Sequence, residues 1–140
     1  MLIDEIKAAN IKAMKEHDQV TRGVISIVMT RYKLQEVEFR AQGKEIQDSD
    51  LLVIIQKILK ELSDEKAGYL QAKNTERAAN IEQQEKVLEA YLPKQLSEEE
   101  IKAEIAKLDD KSMPSVMKHF KTNFAGQVDM SLVSKIARGL

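Results

Sequence analysis

Apolar side chains recur every three or four positions along most of this chain, and that spacing predicts one helix after another. The first helix is expected over about residues 3–16. Leu2, Ile6, Ala9 and Ala13 share its stripe, with Ile3, Asn10 and Met14 beside it. His17 and Asp18 interrupt the pattern, and Asp18 has the short acceptor side chain of an N-cap. A long helix follows over about residues 20–41, with Val20, Val24, Ile27, Val28, Met29, Leu34 and Val37 assigned to its apolar face. The β-branched run from Val24 to Val28 would suit a strand, but the period continues through Val37 and decides for helix. Gly43 offers a left-handed C-cap.

The third helix is expected from Asp48 or Ser49 to about Ala72, with Gly68 as its weak point. Leu51, Leu52, Ile54, Ile55, Ile58, Leu59 and Leu62 give it the most apolar face in the chain. Asn74 and Thr75 cap a fourth, in which Ala78, Ile81, Glu85, Leu88 and Leu92 follow a 3-4 spacing that Glu85 breaks. Three shorter helices are expected over about residues 98–108, 114–123 and 129–138. Pro114 suits a first helical turn, and Asp129 suits an N-cap. Gly126 belongs in a tight turn that needs its conformational freedom.

Between the fourth and fifth helices lies Tyr91-Leu92-Pro93-Lys94-Gln95-Leu96-Ser97-Glu98-Glu99-Glu100. Pro93 cannot continue a helix and drives Leu92 toward extended geometry. Ser97 with Glu100 reads as a capping box, and Leu96 and Ile101 occupy the staple positions around it. The pattern therefore predicts an all-α chain: a four-helix amino-terminal domain over residues 1–92 and a three-helix domain over residues 93–140.

Composition agrees with helix and removes several chemistries. The chain is rich in charge, poor in Gly and Pro, and has no Cys, so it carries no disulfide, thiolate nucleophile or cysteine-based zinc site. His17 and His119 are the only histidines, and neither has a partner at metal spacing; no metal and no cofactor is expected. No Gly-rich phosphate loop and no nucleophile elbow is present. The paired acids, such as Asp109-Asp110, read as solvated surface, and no catalytic residue is assigned. Asp4 and Glu5 stand where a signal peptide has a basic region, and no apolar run approaches the about 20 residues of a membrane span. A soluble, cytoplasmic protein is expected. Net charge is −1, yet residues 111–140 hold Lys111, Lys118, Lys121, Lys135 and Arg138 against Asp129 alone. That local excess attracts an anionic partner.

With the seam and the helical plan in place, the chain resembles the GatB/YqeY family. Glu89 to Glu100 looks like the family's Tyr-Leu-Pro-x-Gln-Leu-Ser block, carried here by Tyr91, Leu92, Pro93, Gln95, Leu96 and Ser97. Ala72 to Ala78 is similar to a weaker block, with Asn74 where an Arg is usual, and Glu45 to Asp48 resembles the entry to the third helix. Met113-Pro114-Ser115-Val116-Met117 is similar to Met-Gly-Lys-Val-Met, with Ser115 replacing a Lys. The resemblance covers essentially the full length and is to the stand-alone form. It implies a four-plus-three helix plan and a link to glutamine-dependent tRNA amidation, a carbon-nitrogen ligase chemistry that resides in other domains and subunits of the larger enzyme. The family's Lys-x-Lys-Gly-Arg-x-Asp turn falls on residues 123–129: Gly126 and Asp129 are kept, while Asn123, Ala125 and Gln127 replace its basic residues.

The expected function is that of a non-catalytic helical binding or accessory protein that docks tRNA, or assists its amidation, through Lys111, Lys118, Lys121, Lys135 and Arg138 around the Gly126 turn. The three lost basic residues weaken that binding. The alternative is a protein–protein adaptor or oligomeric module with no nucleic-acid role, to which the second or fourth helix lends a surface.

Overall fold

The structure, a computed structural model, describes residues 1–93 and 95–139; Lys94, inside the seam block, and Leu140 lie outside the described residues. The described residues form seven α-helices and no strand: α1 (Leu2–Lys15), α2 (Gln19–Ala41), α3 (Asp48–Gln71), α4 (Thr75–Glu89), α5 (Glu98–Ala106), α6 (Met113–Asn123) and α7 (Met130–Arg138). Contacts along the chain gather into two compact units, Met1–Tyr91 and Leu92–Leu140.

In the larger unit the helices begin and end where the local chemistry dictates. The Asp18 carboxylate accepts hydrogen bonds from the Thr21 amide at 3.1 Å and the Thr21 hydroxyl at 2.6 Å, so α2 starts one residue later. Those bonds hold the Asp18 carboxyl below its usual value. Gly43, at φ +73°, takes the left-handed position after α2, and the Lys44 amide closes the end on the Phe39 carbonyl at 2.7 Å. Gln47 and Asp50 form a capping box at the start of α3, and Asn74 accepts from the Arg77 amide at 3.2 Å to start α4. Gly68 does not interrupt α3, which runs unbroken to Gln71. The core is aliphatic, built from Ile3, Ile6, Val24, Ile25, Val28, Leu51, Ile55, Ile58, Leu62, Ile81 and Leu88 among others.

Three expectations are corrected here. First, α2 buries Val24, Ile25, Val28 and Tyr32, while Ile27, Leu34 and Val37 are exposed. At about 100° per residue the two sets lie on nearly opposite sides of the helix, so they cannot share a core face. Secondly, α4 ends at Glu89, and Leu92 lies beyond it. The restriction that Pro93 places on Leu92 acts a turn early: the Tyr91 amide already donates to the Leu88 carbonyl, a tightened last turn. Thirdly, Glu85 does more than break a stripe. Its side chain is only 13% exposed, and Oε1 stands 2.8 Å from Lys66 Nζ on α3. Hydrogen bonding to Glu85 holds the Lys66 ammonium above the ordinary lysine value.

The smaller unit builds its core from Ile101 and Ile105 of α5, Val116 and Phe120 of α6, Val133 and Ile136 of α7, and Val128 between the last two. Ser97 Oγ accepts from the Glu100 amide at 3.2 Å, and Glu100 Oε1 accepts from the Ser97 amide at 3.3 Å, which closes the capping box. Leu96 packs on the cluster that contains Ile101, completing the staple. Pro114 sits in the first turn of α6. Asp110 accepts from the Ser112 amide at 2.9 Å just before that helix, and the bond holds its carboxyl below the usual value.

Candidate functional site

The Gly126 turn connects α6 to α7, and it is held by residues that precede α5. Gly126 has φ +79° and is buried, so it shapes the backbone and offers no exposed contact of its own. Gln95 Nε2 donates to the Gly126 carbonyl at 2.6 Å and to the Pro93 carbonyl at 3.0 Å. The Leu96 amide donates to the Gln127 carbonyl at 2.8 Å. Two residues of the seam block therefore clasp two residues of the turn, across 31 positions of sequence. Asp129, which follows, accepts from the Ser131 amide at 2.9 Å and starts α7. Nothing in the local pattern announced this clasp; the side-by-side occurrence of Gln95 and Leu96 was its only trace.

The five cations all reach solvent. Lys111 precedes α6, Lys118 and Lys121 lie on α6, and Lys135 and Arg138 lie on α7. Lys118 and Lys121 are three residues apart on the side of α6 away from Val116 and Phe120, and Lys135 and Arg138 repeat that arrangement opposite Val133 and Ile136. None of the five makes an ion pair among the described residues. The fold thus presents four of the cations as two pairs, each on the outer face of its own helix, with Lys111 ahead of α6.

Asn123 is not a free substitute for a phosphate contact. Its Nδ2 donates to the His119 carbonyl at 3.1 Å and lies 3.1 Å from His119 Nδ1. An imidazole that accepts at Nδ1 carries its proton on Nε2, which faces Glu104 Oε2 at 3.5 Å. The ring stacks edge-on against Phe120 and Phe124, at 5.4 and 5.8 Å between centroids. His119 thus joins α5 to α6 through a polar contact at the rim of an aromatic cluster.

Of the remaining seam residues, Tyr91 and Leu92 are half-buried and Pro93 is exposed. Burial, with the Glu5 charge adding, pushes the Tyr91 hydroxyl above its usual value. In the larger unit an open polar groove of about 570 Å³ runs between α3 and α4, where the Arg77 guanidinium lies 5.6 Å from the centroid of the Tyr69 ring. Its lining mixes amides, two carboxylates and one guanidinium without an acid, base and nucleophile in register. Among the described residues no cluster of three or more metal-ligating side chains occurs, and no helix is long and apolar enough to cross a membrane.

These features define a small all-helical protein whose shorter unit closes on a clasped glycine turn and displays cations. The chain belongs to the family described as Yqey-like protein, whose profile matches residues 3–140. A comparison with curated proteins found no match.

Proposed function

We propose that the chain is a non-catalytic binding protein of the cytoplasm whose carboxy-terminal helices dock an anionic partner, tRNA first among them. In this reading residues 1–92 are a scaffold domain of four helices and residues 93–140 a three-helix docking domain that resembles the tail of the tRNA-dependent amidotransferase. The observation that carries it is the set of exposed cations without ion-pair partners among the described residues: Lys111, Lys118, Lys121, Lys135 and Arg138. A lysine already satisfied by a carboxylate gains little from a phosphate, whereas a free one releases a counterion from the nucleic acid. Gly126 acts by setting the direction in which α7 leaves the turn.

Family resemblance supports the choice of RNA, and assistance to glutamine-dependent amidation is its extension. The amidation chemistry would then come from a partner enzyme. Asn123, Ala125 and Gln127 stand in place of basic residues, so the affinity is weak and rests on the helix faces. Titrating labelled tRNA at rising salt is the test. Micromolar binding is expected, with affinity falling linearly with salt on logarithmic axes, and Lys118→Glu/Lys121→Glu should weaken it at least about tenfold. Absence of binding at low salt, or binding indifferent to the double substitution, sinks the reading.

A further inference from the structure

Besides its core face, α2 carries a second stripe. Val20, Gly23, Ile27, Thr30, Leu34, Val37 and Ala41 alternate spacings of three and four along the helix, and none is charged. That is a heptad seam, whose average period of about 3.5 keeps it facing one partner along a supercoil. The seam is open to solvent: Ile27 is 40% exposed, Leu34 63% and Val37 64%. Val53 and Leu70 on α3 are exposed singly, as surface apolar residues often are, but a row along a whole helix is a different matter.

Gly23 adds an independent observation. It lies inside α2, where Gly is a poor helix former, and a methyl group there would meet nothing within 4 Å. Open space also surrounds Gly68 inside α3, so what sets Gly23 apart is its place on the seam, where the missing side chain leaves room for a second helix to approach closely.

We infer that α2 pairs with α2 of a second copy of this chain, in parallel and in register, to form a homodimer. Charge selects this occupant and orientation. Lys33 immediately precedes Leu34, and Glu38 immediately follows Val37, five positions on. In a parallel two-stranded coil those positions face each other across the seam, so each Lys33 meets the partner's Glu38, twice by symmetry. Neither side chain makes an ion pair within the chain among the described residues, whereas Arg31 at the same margin is already held by Glu61 at 2.6 Å. An antiparallel pairing that covers Ile27 with Val37 brings Lys33 against Lys33 of the second copy instead. The inference does not depend on RNA docking and takes up the oligomer reading with a defined surface.

The test uses the full chain without RNA. Sedimentation equilibrium over a range reaching hundreds of micromolar should show a reversible monomer–dimer equilibrium. Leu34→Lys should weaken it at least about tenfold with circular dichroism unchanged, because Leu34 supports no core. Lys33→Glu should weaken it, and Lys33→Glu/Glu38→Lys should restore it. Because the chain has no cysteine, Val37→Cys reports orientation directly: in a parallel dimer it oxidises to a cross-linked pair far faster than the exposed control Val53→Cys. A monomer at every concentration overturns the dimer. A dimer indifferent to Leu34→Lys overturns the surface, and equal cross-linking of the two cysteine variants overturns the parallel register.

Discussion

The two helical units differ in what they leave uncovered. Every exposed large hydrophobic side chain among the described residues (Met1, Ile11, Met14, Ile27, Leu34, Val37, Val53 and Leu70) lies in Met1–Tyr91. The smaller unit hides its apolar groups and exposes lysines. Helix length explains much of this. α2 and α3, of 23 and 24 residues, have more circumference than one aliphatic core consumes. α5 and α7, of nine residues each, spend their apolar positions on a single cluster and need loops to hold them. The larger unit therefore leaves apolar side chains uncovered, and the smaller leaves cations uncovered.

The sharpest way to separate the units is to empty the smaller core. Phe120 is fully buried and stacks beside Phe124, with ring centroids 5.6 Å apart. Phe120→Ala should cost about 3–5 kcal/mol, for lost transfer energy and the cavity left behind. Hydrogen exchange by mass spectrometry should show protection lost across α5–α7 and kept in α1–α4. Uniform loss throughout would mean that the two units unfold as one.

A smaller change tests the loop dependence itself. Gln95→Ala removes the 2.6 Å bond to Gly126 and leaves a part-buried carbonyl without that donor, at about 1–2 kcal/mol. Urea denaturation should register that loss. If the clasp orients the cations, the variant should also change tRNA affinity beyond what the lowered folded fraction explains; an unchanged affinity would confine Gln95 to stability.

Helix boundaries were legible because each depends on residues within one turn. Asp18, Gly43, Asn74, Ser97 with Glu100, and Asp129 all do in the structure what their type and spacing imply. Membership of the Yqey-like family was legible for a similar reason: its marks run consecutively through residues 91–100. What failed depends on partners distant in sequence. Periodicity marks Val28 and Leu34 as equally apolar but does not say which of two opposed stripes on α2 meets α1, α3 and α4. Glu85 looked like an interruption until Lys66 was found across from it. The hold of Gln95 on Gly126 spans the whole smaller unit and leaves no periodic trace. For the candidate site, composition gathered the cations into one segment, while the division of four of them between two outward faces needed the helices' orientation in the core.

The mildest test uses pH: the alkaline response should fall in the larger unit, whereas the acid response belongs to both, because the bonds from Thr21 also lower Asp18 at the start of α2. In the larger unit, hydrogen bonding to Glu85 raises Lys66 above its ordinary 10.5. Burial raises the Tyr32 and Tyr91 hydroxyls above 10.0, with smaller help from nearby carboxylates. In each case the folded state holds its proton more tightly than the unfolded chain, so stability is fully present below the unfolded value and is lost as pH rises through the folded one. Among the described residues of the smaller unit the only resolved shift is that of Asp110, lowered chiefly by the Ser112 amide. A lowered carboxyl gives stability above its unfolded value that is lost as pH falls through the folded one. Exchange protection in α3 and α4 should therefore decline first above pH 10.5, and that at the starts of α2 and α6 first on acidification below 3.8. Lys66→Met isolates the ion pair from the tyrosines: the melting-temperature gap to the parent should stay constant up to the ordinary lysine value and close above it. A gap that persists at higher pH would assign the effect of Lys66 to packing of its aliphatic stem rather than to its charge.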